Sequence, residues 1–218
     1  MQEATLRFLL SVIRSDADRV CLYSDQNMDW MLSDSTYLMK WAALMGECVK
    51  KGVRICIIHN IDRNLGEMVE AIGMWLPLYM SGMIEPYFCK KPKDPRFSHS
   101  LFLCKEHFCI EANHVIGTEA EGISYYRNDR EHLKLAAYAF EKLLESSQTL
   151  IRFIPAGEHI PSSVKINEKE FKNIGFCIED DSVMIEHFSN PALIFKFTQS
   201  NMVRAFKAYA AHRINRRD

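Results

Sequence analysis

Short apolar runs alternate with amphipathic patterns along the first 80 residues of the chain. The runs Arg19–Tyr23 and Ile55–Ile58 are bounded by polar or glycine-containing segments, which predicts two buried strands. Apolar residues recur every three or four positions from Tyr37 to Cys48 and from Leu65 to Tyr79, which predicts two helices with apolar faces. The order strand, helix, strand, helix indicates a βαβα unit with parallel strands.

Three further strands and a long helix are predicted after this unit. The run Met83–Cys89 gives the third strand. Ser100–Cys104 and Phe108–Glu111 predict two strands that form a hairpin. Asn128 or Asp129 is expected to cap the long helix that follows. We therefore predict an α/β fold with a mainly parallel sheet and flanking helices.

The clearest candidate boundary lies near residue 155. The segment Pro155–Pro161 contains two prolines and a glycine, a composition typical of a connection between domains. We predict an α/β domain over residues 1–155 and a small α+β appendage over residues 156–218. The helical pattern Gln2–Arg14 starts without a preceding cap, and we expect it to continue a longer protein on its N-terminal side.

Polar side chains follow the predicted parallel strands where each strand ends. Ser24 and Asp25 follow the first strand, and His59 follows the second. Open α/β sheets bind ligands at the carboxyl ends of such strands. Arg63 precedes the helix pattern that starts at Leu65, where backbone N–H groups and the helix dipole favour an anion. The predicted ligand-binding residues are Ser24, Asp25, His59, Arg63, Tyr87 and His99.

A structural role is the alternative for the two strongest candidates. In that alternative His59 hydrogen-bonds the loop backbone, and Arg63 pairs with Asp62 or Glu67. The segment Lys90–Phe97 is a basic loop near the predicted edge, which suits a gate for an anion. Its basic residues are Lys90, Lys91, Lys93 and Arg96. We expect a small anionic ligand to be the partner of this edge.

Composition narrows the classes of function. The chain has 218 residues and a formal net charge of −1, so no overall field draws it to nucleic acid or to a membrane. No apolar run approaches the ~20 residues of a membrane-spanning helix. The seven cysteines form no CxxC pair and lie mostly in apolar runs, which indicates reduced thiols in the cytoplasm. Their spacing from the histidines fits no usual zinc pattern, and we expect neither a metal nor another cofactor.

The stretch His99–Glu106 resembles the HxKxxxxD motif of the phospholipase D family, and the element order from Arg19 to Phe153 resembles half of that fold. In catalytic members the histidine attacks phosphorus, the lysine holds phosphate oxygens and the aspartate acts on the histidine. His99 matches the histidine, whereas Leu101 and Glu106 stand at the lysine and aspartate positions. Active members need two motifs, so the resemblance implies the fold without its catalysis.

Three segments resemble the effector domains of clostridial-type helix-turn-helix transcriptional regulators. They are Tyr23–Met31, His59–Asn64 and Trp75–Met80. The resemblance implies a non-catalytic domain of a bacterial regulator that senses a ligand or binds another protein. DNA would be contacted only through a preceding helix-turn-helix domain. The alternative is a phosphodiester hydrolase of the phospholipase D type that uses His59 or His99 and is completed in a homodimer.

Overall fold

The computed structural model describes residues 1–26, 29–89, 94–118, 122–153, 164–165, 174–187 and 194–214. The helices are α1 (Gln2–Arg14), α2 (Asp29–Leu32), α3 (Ser35–Lys50), α4 (Leu65–Tyr79), α5 (Arg130–Glu145) and α6 (Ser200–Ile214). The strands are β1 (Arg19–Ser24), β2 (Arg54–His59), β3 (Ile84–Cys89), β4 (Phe97–Cys104), β5 (Phe108–Val115), β6 (Ser124–Arg127), β7 (Ser147–Thr149), β8 (Arg152–Phe153), β9 (Val164–Lys165), β10 (Ile174–Ile178), β11 (Val183–His187) and β12 (Ile194–Phe197).

Side-chain caps begin α3, α4 and α5. The Asp34 carboxylate accepts a hydrogen bond from the Thr36 N–H at 2.8 Å and starts α3. Asn64 starts α4, and Asp129 starts α5 by accepting from the His132 N–H at 2.9 Å. Each cap satisfies a backbone donor that the first helical turn leaves unpaired. No helix within the described ranges is both long enough and apolar enough to cross a membrane.

The α/β fold class predicted from the sequence is confirmed. Seven strands form one sheet in the order β6-β5-β4-β1-β2-β3-β7. Strand β2 pairs in parallel with β1 and with β3, as predicted. Strand β4 pairs antiparallel with β1 and with β5, and β5 pairs antiparallel with β6. The parallel strands therefore lie beside an antiparallel β4–β6 segment, which includes the predicted hairpin.

Alternate residues of this sheet face two separate apolar layers. Helix α5 covers one side, which we call the α5 face, and its Leu133, Ala136 and Phe140 are buried there. The sheet residues buried in this layer are Cys56, Ile58, Leu101, Leu103 and Cys109. Helix α1 covers the other side, which we call the α1 face. Its Phe8 is fully buried there, with ring centroids 5.9 Å from Phe102 and 5.4 Å from Phe108.

The chain divides into two compact units. The first comprises Met1–Asn60 and Met83–Gln148, and the second comprises Ile61–Gly82 and Thr149–Asp218. These units differ from the predicted division into residues 1–155 and 156–218, because α4 belongs with the C-terminal part. The predicted boundary segment Pro155–Pro161 lies outside the described residues.

The second unit contains a five-stranded antiparallel sheet in the order β8-β12-β11-β10-β9. Helix α4 continues through Pro77 and packs against α6. The Phe197 ring lies 6.3 Å from the Tyr79 ring of α4 and 4.8 Å from the Phe206 ring of α6, measured between centroids. This aromatic contact joins both helices to β12, and explains why α4 groups with a segment more than a hundred residues later.

Replacing Phe8 with alanine tests whether α1 is part of the core of the first unit. Truncation of this fully buried ring leaves a cavity beside Phe102 and Phe108. We expect the free energy of unfolding to fall by about 3–5 kcal/mol. Urea unfolding followed by far-UV circular dichroism measures the change.

Leu10→Ala on the same helix is the matched control, because Leu10 is 40% exposed. Its effect on the free energy of unfolding should stay within about 0.5 kcal/mol. Equal losses from the two substitutions would contradict the described packing of α1.

Candidate functional site

Strand register brings most of the predicted ligand-binding residues to one edge of the sheet in the first unit. Tyr23 pairs with Ile58, so Ser24 and His59 end neighbouring parallel strands. Ser24 also pairs with Ser100 across the antiparallel β1–β4 ladder. The predicted residues at this edge are Ser24, Asp25, His59, Tyr87 and His99.

The same register divides those residues between the two faces of the sheet. Ser24 and His59 share the α1 face, because each lies one residue from a position on the α5 face. Tyr87 pairs with Ile58 and lies on the α5 face, and His99 alternates with Leu101 on that same face. One cavity on one face therefore cannot be lined by all of the predicted side chains.

The α1 face changes from apolar to polar at its carboxyl edge. The Ser24 and Ser100 hydroxyl oxygens lie 2.7 Å apart, and Ser100 is 1% exposed. Ser98 is 2% exposed, and its hydroxyl has no hydrogen-bond partner among the described residues. A buried hydroxyl without a partner costs about 1–3 kcal/mol. We call Ser24, His59, Ser98 and Ser100 the polar edge.

Asp25 connects the end of β1 to β4 by hydrogen bonds. Its carboxylate accepts hydrogen bonds from the His99 N–H and from the Tyr23 hydroxyl, the latter at 3.3 Å. The Asp25 N–H donates to the His99 carbonyl at 3.1 Å. Burial, followed by the nearby Asp25 carboxylate, raises the pKa of Tyr23 above its ordinary value. These contacts give Asp25 a structural role.

Arg63 belongs to the second unit, and its guanidinium pairs with Glu67 at 3.2 Å. The Arg63 side chain is 9% exposed, and Glu67 lies in the first turn of α4. This contact corresponds to the structural alternative stated for Arg63. Its role toward an anion stays a prediction.

Most of the predicted basic gate lies outside the described residues, namely Lys90, Lys91 and Lys93. Arg96 is described, and its side chain is 78% exposed beside Asp94 at 3.7 Å. The gate therefore stays a prediction.

The residues that resemble the phospholipase D motif do not form its constellation. Leu101, at the lysine position, is 5% exposed in the apolar core of the α5 face. Glu106 lies in the turn after β4 with a positive φ of 70°, whereas His99 lies near the start of that strand. At about 3.3 Å per residue, the strand alone separates the two by roughly 16 Å. Glu106 is therefore too far away to act on His99.

A cavity of about 310 Å³ opens at the opposite end of β1. Its charged groups largely pair with one another: Lys105 with Glu141 at 3.1 Å, and His107 with Asp16 at 3.4 Å. Cys21 lines it and pairs in register with Cys56. The lining residues are Asp16, Ala17, Asp18, Arg19, Cys21, Leu103, Lys105, Glu106, His107, Ala137, Phe140, Glu141 and Leu144. This cavity offers an anion little uncompensated positive charge.

Sequence reasoning missed three residues at the polar edge or beside it: Ser98, Ser100 and His114. Ser98 pairs in register with His114, which is 5% exposed. A Cβ at Gly122 would meet the His114 imidazole at 1.8 Å, so the absence of a side chain there leaves room for the ring. The alternation Ser98-His99-Ser100 was the available signal, because period two places the serines together on one face.

No protein-family model matches this chain, and no curated protein sequence matches it. The two family resemblances therefore stay predictions.

Two serine substitutions on β4 should change stability in opposite directions. Ser98→Ala removes a buried hydroxyl that lacks a partner in the described part of the chain, and should raise the free energy of unfolding by about 1 kcal/mol. Ser100→Ala leaves Ser24 without its 2.7 Å partner, and should lower it by about 0.5–1.5 kcal/mol. Urea unfolding of the two variants measures both changes. Equal destabilisation would show that the Ser98 hydroxyl has a partner after all.

Proposed function

We propose that this chain is a non-catalytic domain that binds a small anionic molecule at the polar edge. The observation that carries this proposal is the buried Ser98 hydroxyl, which has no partner among the described residues and lies two residues along β4 from Ser100, the partner of Ser24. Folding buries such a group at a cost unless something else hydrogen-bonds to it. A ligand oxygen would accept that hydrogen bond.

Donor chemistry supports an oxyanion as the ligand. Serine hydroxyls and an imidazole N–H donate to carboxylate or phosphate oxygens, and such charge-assisted hydrogen bonds are stronger than neutral ones. Ser24 and His59 lie side by side at the carboxyl ends of parallel strands, the edge where open α/β sheets bind ligands.

The residues at the motif positions on and after β4 support a non-catalytic role. Phospholipase D chemistry needs a cation to hold phosphate oxygens, and Leu101 is buried at that position. Losing one such electrostatic group costs on the order of 10²–10³ in rate. With Glu106 also at the far end of β4, the His99 motif lacks both of its partners.

We place this binding domain in a bacterial transcriptional regulator of the cytoplasm, on the resemblance of Tyr23–Met31, His59–Asn64 and Trp75–Met80. DNA would be contacted through a helix-turn-helix domain on the N-terminal side, and homodimerisation would fit such a regulator. The genomic reading frame tests this setting. An in-frame helix-turn-helix segment upstream supports it, and a natural start at Met1 weakens it.

Ligand binding is tested by thermal-shift screening with inorganic phosphate, small carboxylates and phosphomonoesters. We expect at least one probe to raise the unfolding midpoint of the wild-type chain. Ser98→Ala and His59→Ala should each lower the affinity for that probe by roughly tenfold, because each removes about one hydrogen bond of 1–1.5 kcal/mol. Calorimetric titration measures the affinities.

His99→Ala is the matched control, because His99 lies at the same edge on the opposite face. The affinity of the His99→Ala variant for the probe should equal that of the wild type. The proposal fails if no probe stabilises the wild type, or if His99→Ala weakens binding as much as His59→Ala.

A second candidate is phosphodiester hydrolysis, and one observation favours it. His59 and Ser24 end adjacent parallel strands on one face, so a base and a hydroxyl lie side by side. Incubation with a chromogenic phosphodiester tests this alternative. We expect no turnover from the wild-type chain; turnover that disappears in His59→Ala or in His99→Ala would establish the hydrolase instead.

A further inference from the structure

Three side chains with metal-binding atoms meet on the α5 face, away from the polar edge. They are Cys109 and Glu111 of β5 and His132 of α5. One sulfur, one carboxylate oxygen and one imidazole nitrogen all lie within 4.8 Å of one another. His132 Nε2 lies 2.8 Å from a Glu111 carboxylate oxygen. Within the described ranges this is the one such group of three.

Two independent features of the fold bring these residues together. Cys109 and Glu111 are two positions apart on β5, so both side chains face α5. The Asp129 cap accepts from the His132 N–H at 2.9 Å and fixes the first turn of α5, which carries the imidazole. The site is therefore supported by a strand and by a capped helix end.

Burial and charge suit a cation. Cys109 is fully buried, whereas the Glu111 and His132 side chains are 29% and 30% exposed, so the group opens toward solvent on one side. The carboxylates of Glu111 and Asp129 place negative charge near the thiol, and the Arg127 guanidinium partly offsets it. Two carboxylates against one guanidinium favour a bound cation.

We propose that Cys109, Glu111 and His132 bind one divalent ion of the zinc type. Thiolate, imidazole and carboxylate are the three donors that zinc takes in proteins, and three protein ligands leave a fourth position open. On binding, the Cys109 S–H bond breaks, a metal–sulfur bond forms and the proton goes to solvent. Before binding, the His132 Nε2–H donates to the Glu111 carboxylate. On binding, this hydrogen bond breaks and the Nε2 proton passes to solvent or is exchanged to Nδ1, so that the Nε2 lone pair and one Glu111 oxygen can bind the metal.

The competing explanation is an ordinary His–Glu ion pair above a buried thiol. The chain offers a comparison, because His107 pairs with Asp16 at 3.4 Å and its side chain is 35% exposed. Among the residues that the structure describes, that pair forms no group of three with a thiol. His107→Gln is therefore the matched control for His132→Gln.

The experiment uses the full chain, stripped of metal with a chelator. Zn²⁺ is titrated in competition with a chromophoric chelator, and Co²⁺ is added separately to record its absorption spectrum. We expect one equivalent of Zn²⁺ to bind, and the Co²⁺ complex to show a thiolate-to-metal charge-transfer band with tetrahedral d–d bands. Saturating Zn²⁺ at about 100 times its Kd should raise the unfolding midpoint by about 5–10 °C.

Cys109→Ser and His132→Gln should each weaken Zn²⁺ binding by at least about 100-fold, because losing even an outer partner of a metal site costs 10–100-fold. His107→Gln and Cys104→Ser should bind like the wild type; Cys104 is as fully buried as Cys109. Circular dichroism is used to check that each variant folds. His132→Gln keeps the backbone N–H that donates to Asp129.

The proposal is overturned if the wild type binds no Zn²⁺ at micromolar concentrations. Binding that survives in Cys109→Ser or His132→Gln also overturns it, and so does equal loss in the controls. If Cys109→Ser does not fold, the comparison of His132→Gln with His107→Gln decides the matter.

Discussion

Both faces of the first unit depend on the register of β1, the middle strand of the seven-stranded sheet. It pairs in parallel with β2 and antiparallel with β4, so it joins the two halves of the sheet. A slip of one residue would turn Leu22 and Ser24 toward α5, and Cys21 and Tyr23 toward α1. The apolar side chains on both faces of this strand oppose such a slip, since either direction would rearrange two packed layers.

Sequence pattern predicts many of the helices and strands of this fold. The faces of the strand ends and the long-range contacts could not be predicted, for physical reasons. Apolar runs and helical periodicity predicted β1, β2, α3 and α5, and of the two caps expected for α5, Asn128 and Asp129, the structure uses Asp129. Pattern alone does not show which face a strand-end residue takes, so Ser24 and Tyr87 were grouped although register separates them. The contact of Tyr79 with Phe197 spans over a hundred positions, beyond any local signal.

Polar groups in an apolar layer are informative here because burial makes each of them expensive. On the α1 face, Ser100 has a hydroxyl partner in Ser24, whereas Ser98 lacks one among the described residues. On the α5 face, Cys109 is buried beside the Glu111–His132 pair. Apolar side chains of similar size would fill either position without this desolvation penalty. The presence of polar atoms at both places is the physical reason for proposing binding roles there.

The β4–β5 hairpin carries both candidate sites on opposite faces. Ser98 and Ser100 face α1, whereas Cys109 and Glu111 face α5. Glu111 pairs with Leu101, one residue from Ser100, so the two sites share backbone but no side chain. A ligand bound on one face can affect the site on the other face only by displacing the hairpin, because the two sites share backbone but no side chain. Substitutions confined to one face should therefore be energetically close to additive with those on the other, and a large coupling energy between Ser98→Ala and His132→Gln would mean that the hairpin moves as a unit.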